Sequence, residues 1–485
     1  MQSGAQRERS KLRRLNMVME VMPRTPIELR VIAIASLLSA NLLLSGCAAI
    51  IEFVDVTANG LPASHDPRLV STHIPTKAEL EFHDSLFIVD LHADSLLWGR
   101  EIAQTGRHLD LEKMRAGNIA LQVLSVVTKT PGFDVSKGCV PHDGLNSAAL
   151  LAPLQGQPVA NWFSTRNRAL EQATRLRGEA ELDIQSALFD LETSKDLWLI
   201  RTVQDLRRLL DARSQAVQRK PIGVVLAIEG VHWLGDREMT SSMIEQQVDE
   251  IFEAGFRMAA LTHRFDNGLG GASEGCNGFG LTPQGRQVVR EMVGRGIVVD
   301  AAHLSNQSFA DLFEVETGPL VSSHGGVKAS FNVSRNMSDD DIRGVVRSDG
   351  TIGVGFWPEA VGQRGTYVEA IGEAFEEALA VMFEKEFVTE MDAARLATNG
   401  RPYDPYEHIS FGSDFDGAVT VPFSADRLAF LTTHLMRRTT ATGDQLFPME
   451  KIPLVAGLNA CRVLAARMPS EKAVRPSPIS VCRIH

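Results

Sequence analysis

At 485 residues the chain is long enough to bury a large core, and one barrel-sized domain accounts for it as readily as two ordinary ones. With 44% hydrophobic and 22% charged residues it has the make-up of a globular protein, and a formal charge of -11 argues against a nucleic-acid-binding surface, which needs a basic excess. The sequence carries no zinc-finger, P-loop or dinucleotide-binding fingerprint.

In chain order, the first segment is a targeting signal. Basic residues crowd "RERSKLRR", and from Val31 a charge-free apolar run, "VIAIASLLSANLLLSGC", ends in small residues and Cys47. The run is short for a spanning helix, although adding "AAII" brings it to the borderline, so an uncleaved anchor is the competing reading. "LLSGC" resembles the lipobox of bacterial lipoproteins, in which the peptide is cut before the cysteine and that cysteine receives lipid. The resemblance implies a signal segment over 1–47 and a lipid anchor on Cys47 in a bacterial envelope, with the protein facing the periplasm. A start at Met17 or Met22 shortens the basic region without changing this. Residues 48–80 read as a tether.

From residue 85 onward, short runs rich in Val, Ile and Leu alternate with longer segments of helical apolar spacing, the pattern of βα units around a parallel sheet. The runs are "LFIVDLHAD" (86–94), "IALQVLSVV" (119–127), "IGVVLAIEG" (222–230), "MAALTHR" (258–264), "GIVVDAAHL" (296–304), "PLVSSHGG" (319–326), "GTIGVGFW" (350–357) and "HISFGSDFDG" (408–417). Between them lie amphipathic stretches such as "VQDLRRLLDA", "MIEQQVDEIFEAG", "TPQGRQVVREMVGRG" and "SDDDIRGVVRSDG". Eight such units predict a (β/α)8 TIM-like barrel over 81–470. Runs two and three are widely spaced, and the excess at 131–200 reads as an insertion over the barrel mouth, either shaping a substrate pocket or idle. "DRLAFLTTHLMRRTT" and "IPLVAGLNACRVLAARM" read as closing helices, and 471–485 as a frayed tail. Besides Cys47 there are Cys139, Cys276, Cys461 and Cys482, without metal-type spacing; they read as incidental, with pairing of Cys139 and Cys276 left open.

Functional side chains of such barrels sit at the carboxyl ends of the strands. Those positions hold His92 and Asp94, Glu229, His263, His303, His324, and Asp414 with Asp416. A single strand-end histidine is usually a hydrogen-bonded structural residue. Six strand ends sending ionisable groups to one mouth call for pairing or metal, because such groups are costly to bury alone. His92 and Asp94, two apart, project to the same side of their strand and reach one ion together. Three imidazoles and two carboxylates without a thiolate suit zinc, with manganese or cobalt as substitutes. Five ligands exceed the usual three of one catalytic zinc and fit two ions about 3.5 to 4 Å apart with a hydroxide between them. Glu229 is the expected bridge, His92 and Asp94 serve one ion, and His303 and His324 the other. Asp90 and Asp300 are expected to orient the imidazoles.

The set "DLHADS", "AIEGVHWLG", "LTHRFDN", "GLTPQGRQVVREM", "VDAAHLS", "VSSHGG", "SRNMSDDDI" and "GSDFDGAV" resembles the membrane (renal) dipeptidase family of metal-dependent amidohydrolases, over about 85 to 468. The resemblance implies a dizinc exopeptidase that hydrolyses dipeptides, often tolerating a D-residue at the carboxyl end. Matched motif by motif, it makes His92, Asp94, Glu229, His303 and His324 the metal ligands. It makes His263 a substrate-binding histidine, Arg335 the clamp for the substrate carboxylate, and Asp414 the acid of strand eight. Physically, His263 stabilises the oxyanion, and Asp414 relays the nucleophile's proton to the leaving amine, with Asp416 the second choice. Glu229 completes the catalytic set, and Arg264 and Lys328 are rival cations to Arg335. The loop "THRFDNGLGGASEG" and the long segment after strand two depart from the mammalian pattern, which bears on substrate range.

Two rival readings are a lactonase or β-lactam-cleaving enzyme on the same barrel, and a non-catalytic zinc-binding envelope lipoprotein. The partners expected are a dipeptide and a membrane, no nucleic acid, and a homodimer is left open.

Overall fold

A computed structural model describes residues 46–59, 70–104, 107–131, 138–181, 184, 195–215, 219–315, 318–362, 365–440, 442–471 and 476–482. The basic and apolar stretch to residue 45, expected to be a signal segment, the side chain of Cys47, and parts of the expected tether and tail lie outside the described residues.

Among the described residues there are nine strands: β1 (Ile88–Ala93), β2 (Ile119–Val127), β3 (Leu197–Leu199), β4 (Ile222–Glu229), β5 (Phe256–Ala260), β6 (Val298–Asp300), β7 (Val321–Ser322), β8 (Thr351–Val354) and β9 (Ile409–Phe411). All pairings are parallel, and the circuit β1-β2-β4-β5-β6-β7-β8-β9 closes through a β1–β9 pair. These eight strands make a (β/α)8 barrel; seven lie inside the apolar runs, and β5 starts at Phe256, two residues before its run. β3 is an addition. It pairs Leu197 with Ile222 and Leu199 with Val224, on the edge of β4 that β5 takes over from Leu226 onward.

Every strand residue is buried, as expected where helices cover the outside of a sheet and side chains fill its inside. The outer helices start on sequence signals: Thr202, Thr240, Thr282 and Ser338 accept hydrogen bonds from the first turns of Val203–Ser214, Ser241–Glu253, Pro283–Gly294 and Asp339–Arg347. Helices Tyr367–Met382 and Lys385–Asn399 fill the connection from β8 to β9, a stretch to which the sequence pattern assigned nothing.

Three expectations need correction. The tether begins as a helix, α1 (Gly46–Asn59), whose Asp55 and Asn59 are buried and whose Val54 and Ala58 pack on Leu97, Trp98, Val127, Ala148 and Leu151. The tail is not frayed at 476–482: helix Pro478–Val481 buries Val481, and Cys482 is bonded to Cys461. The cysteines are therefore not incidental, since Cys139 and Cys276 also pair, joining the insertion to the loop after β5, where Val140 bridges Gly275. The described part of the insertion buttresses α1 through Ala148 and Leu151.

Candidate metal centre

The register of the barrel brings the candidate ligands level. Val127 of β2 pairs with Glu229 at the end of β4, and Ala93 of β1 pairs with Leu124 and, by an isolated bridge, with Phe415. His92 Nε2 lies 3.3 Å from Asp94 Oδ1, 3.7 Å from Glu229 Oε1 and 3.8 Å from Asp414 Oδ1. Glu229 Oε1 is also 2.8 Å from His303 Nε2 and 3.4 Å from His324 Nε2, while its Oε2 is 3.5 Å from His263 Nε2. Six sequence-distant segments thus meet around one carboxylate, and all seven side chains are buried.

These residues fall into three sets whose ligating atoms lie within 4.8 Å of one another: His92, Asp94 and Glu229; Glu229, His263 and His303; and His92, His324 and Asp414. Glu229 and His92 each belong to two sets, and of the two only Glu229 has a pair of oxygens with which to bridge two ions. The division differs from the expected one in drawing His263 beside His303 and placing His324 with His92 and Asp414. Four buried polar atoms here have no hydrogen-bond partner: His92 Nε2, Asp94 Oδ1, Glu229 Oε2 and His303 Nδ1. Orphans of this kind are costly unless something binds them. Tetrahedral ligands about 2.1 Å from one ion stand about 3.4 Å apart, in the middle of the separations above, so the residues fit divalent metal.

The electrostatics lead to the same place. Burial pushes the carboxyls of Asp94 and Glu229 well above their usual range, reinforced for Asp94 by Asp416 and for Glu229 by Asp94. Asp414 is raised to about 7, again chiefly by burial. His263, His303 and His324 are pushed well below the ordinary imidazole value by burial. Left alone, the cluster resists ionisation; dications reverse that balance.

Neighbouring groups fix each ring. Ser323 Oγ meets His324 Nδ1 at 2.9 Å and His92 Nδ1 at 3.5 Å, which leaves both Nε2 atoms facing inward. His263 Nδ1 donates to the Lys129 carbonyl at 2.7 Å; a carbonyl only accepts, so the neutral ring presents a lone pair at Nε2. Oxyanion stabilisation, the role expected of His263, needs a donor there. Asp90 accepts from Ser413 and Gln122, and Asp300 from the backbone of Ala302 and Ser323. They steady the chain beside Asp414, His303 and His324 rather than the imidazole rings themselves.

The loop after β9 is wound tightly. Asp414, Asp416 and Ala418 have φ of +61°, +61° and +58°, and His303 has +65°, conformations that cost about 1 to 3 kcal/mol each for such residues. At Gly417 a Cβ would fall 1.9 Å from Asp414 Oδ1, so the position has no room for a side chain. Asp416 is spent elsewhere: it accepts from Ser95, the His108 backbone and Arg100.

Asp94, Glu229, His263, His303, His324, Arg335 and Asp414 line a cavity of about 1030 Å³. Arg335 Nη2 donates to the His324 carbonyl at 2.9 Å. Arg264 shares this wall but is held by Glu274 at 2.9 and 2.7 Å, and Lys328 is not among the lining residues. The sequence pattern missed Glu274, the apolar wall of Phe356, Trp357, Val361 and Tyr367, and Ala58 from α1. Glu274 lies in the loop "THRFDNGLGGASEG", and Phe356 and Trp357 end the run "GTIGVGFW", but no spacing within these segments marks those residues as wall positions.

Residues 77–474 match the profile of the membrane dipeptidase family (peptidase family M19). Over 249 residues the chain is 26% identical to an uncharacterized dipeptidase of Schizosaccharomyces pombe, covering 50% of this chain and 52% of that protein. The chain spans about half the length of the curated relatives it matches. Among solved structures, an amidohydrolase from Pseudomonas aeruginosa superposes with a TM-score of 0.53 at 17% identity, over 80% of this chain and 99% of that one. A metallo peptidase from Rhodobacter sphaeroides, liganded with a phosphinate mimic of the dipeptide L-Ala-D-Ala, gives 0.53 at 18% identity, over 79% and 99%. At these identities the likeness speaks for the fold.

Proposed function

The chain belongs to the membrane dipeptidase family, and from that premise we propose that it is a zinc-dependent exopeptidase hydrolysing the peptide bond of dipeptides, including those with a carboxyl-terminal D-residue. The observation that carries this reading is the convergence of His92, Asp94, Glu229, His303 and His324, with unpartnered atoms, beside the guanidinium of Arg335. Those five residues would hold two zinc ions, which when bound polarise the scissile carbonyl and ease the ionisation of the attacking water.

The remaining work falls to the protein's own groups. Arg335, braced by the His324 carbonyl, receives the substrate's free carboxylate, which limits the site to short peptides with an open carboxyl end. His263 Nε2 accepts a hydrogen bond from the substrate's nitrogen, since its only N–H is given to Lys129. Asp414, whose carboxyl titrates near neutrality, takes the proton of the attacking water at its Oδ atoms and returns it to the departing amine. The wall of Phe356, Trp357, Val361 and Tyr367 takes the apolar parts of the dipeptide. The ligand of the Rhodobacter sphaeroides structure, a mimic of L-Ala-D-Ala, supports including the D-residue in the proposal.

Lipidation of Cys47 and a place on the periplasmic face of a bacterial envelope complete the proposal. "LLSGC" supports them, as do two disulfides, which persist in oxidising compartments. Among the described residues no helix is long and apolar enough to cross a membrane.

The test is chelation followed by zinc add-back, assayed on a panel of L,L- and L,D-dipeptides. Turnover that vanishes on chelation and returns with zinc supports the proposal; activity untouched by complete metal removal overturns it.

A further inference from the structure

α1 precedes the residues 77–474 that match the family, yet its carboxyl end reaches the catalytic mouth, where Ala58 lines the cavity. Asn59, fully buried, donates from Nδ2 to Asp55 Oδ1 at 2.7 Å. Its Oδ1 accepts the backbone N–H of Ala418 at 2.8 Å. Asp55 in turn accepts from Arg100 at 3.1 Å, and the same guanidinium holds Asp416.

Ala418 closes the left-handed stretch that starts at Asp414. Each backbone N–H of that stretch has one fixed partner: Asp414 donates to His92 O at 3.2 Å, Phe415 to Ser413 Oγ at 3.1 Å, Asp416 to His108 Nδ1 at 3.2 Å, and Gly417 to Asp414 O at 3.2 Å. The fifth bond, from Ala418, is the one supplied by a residue outside the barrel. Three non-glycine residues at positive φ persist only where their surroundings over-determine them. Removing one clamp from this turn lets it relax, and the carboxylate at its head moves with it.

We propose that Asn59 is a positioning residue: through the N–H of Ala418 it holds the loop that sets the Asp414 carboxylate over the cavity, so that the carboxyl end of α1 helps to place the proton carrier. The inference rests on Asp414 being the proton carrier. A purely structural role for α1 would instead lower stability and leave kcat in place.

The experiment uses the full chain loaded with zinc, and measures kcat, KM, metal content and melting temperature on one dipeptide. Asn59→Ala is expected to lower kcat about 10- to 100-fold, the scale of a small misplacement of a reacting group, with KM and metal content near those of the parent. The exchanged pair Asp55→Asn with Asn59→Asp keeps one carboxamide, one carboxylate and an acceptor for Ala418, and is expected to regain most of that kcat. Val54→Ala, which loosens the packing of α1 without touching this bond, is expected to lower the melting temperature and spare kcat. The inference is overturned if Asn59→Ala keeps kcat within about twofold of the parent, a shift too small for a lost clamp. It is equally overturned if kcat falls only in step with metal content or folded fraction, or if Val54→Ala lowers it as much. Parent turnover and its loss in Asp414→Asn are measured alongside: a parent that cleaves no dipeptide removes the dipeptidase reading and this inference together.

Discussion

His303 and His324 aim their Nε2 atoms at each other across 3.0 Å, and Glu229 Oε1 stands 2.8 Å from the first and 3.4 Å from the second. Burial disfavours a charge on either ring, and two Nε2 atoms facing each other cannot both carry hydrogen, so at most one N–H serves the pair. A cation satisfies both rings and the carboxylate at once. His324→Ala is therefore expected to lose bound zinc, and Glu229→Ala, which removes a carboxylate common to two ligand sets, to lose more. Both should reduce turnover by more than the roughly 10- to 100-fold that loss of an outer-shell partner costs. Metal content by plasma emission spectroscopy, measured beside turnover, checks the order.

Asp414→Asn keeps the shape of the loop and removes the base. Turnover should drop about 10²- to 10⁴-fold while zinc content and KM stay close to the parent's. The pH profile gives a second check. A base works only when deprotonated, so kcat/KM falls as pH falls through its pKa. Without metal that value is about 7, and neighbouring dications lower it, so the acid limb should lie below neutrality and disappear in Asp414→Asn.

Arg335→Met should raise KM and cut kcat/KM by about 10- to 100-fold, the worth of a charged hydrogen-bonded contact. Arg335→Lys should recover part of it, since a point charge cannot bond a carboxylate through two parallel N–H groups. Dipeptide amides should be poor substrates of the parent and lose nothing further in Arg335→Met. A lactone hydrolase would show none of this pattern, because its substrate brings no carboxylate to the clamp.

The two disulfides should differ in weight. Chain-entropy arguments give an upper figure of about 5 kcal/mol for the 137-residue separation of Cys139 and Cys276, and about 3 kcal/mol for the 21 residues between Cys461 and Cys482. Cys139→Ser is thus expected to lower the melting temperature more than Cys482→Ser, read by calorimetry at neutral pH. Cys139→Ser should also loosen the segment whose Glu274 carboxylate holds Arg264 on the cavity wall.

The barrel and its mouth were legible because both follow from local rules. A buried parallel strand reads as an unbroken apolar run, and an ionisable residue at its carboxyl end, as at Glu229 or His303, interrupts that run where the chain leaves the core. β3 was missed because three residues are too few for any period to register. α1 was missed for another reason: Asp55 and Asn59 look like solvated positions until Arg100 and Ala418, far along the chain, are seen to meet them. The direction of the His263 ring was hidden too, since its partner is a backbone carbonyl and carries no residue identity. Cys461 lies in the first turn of helix Asn459–Arg467 and Cys482 just past helix Pro478–Val481, and only their packing shows that the two face one another.

The docking of α1 also bears on how this protein behaves at a surface. A 14-residue helix is about 20 Å long, so with lipid on Cys47 the catalytic mouth would be kept within a short helix of the bilayer rather than swinging on a loose leash. Were the chain cut between Asn59 and Val70, α1 would be held to the barrel by non-covalent contacts alone. If α1 then departed with a lipid on Cys47, the Asp414 loop would lose the Asn59 clamp, and the freed barrel would be the slower enzyme.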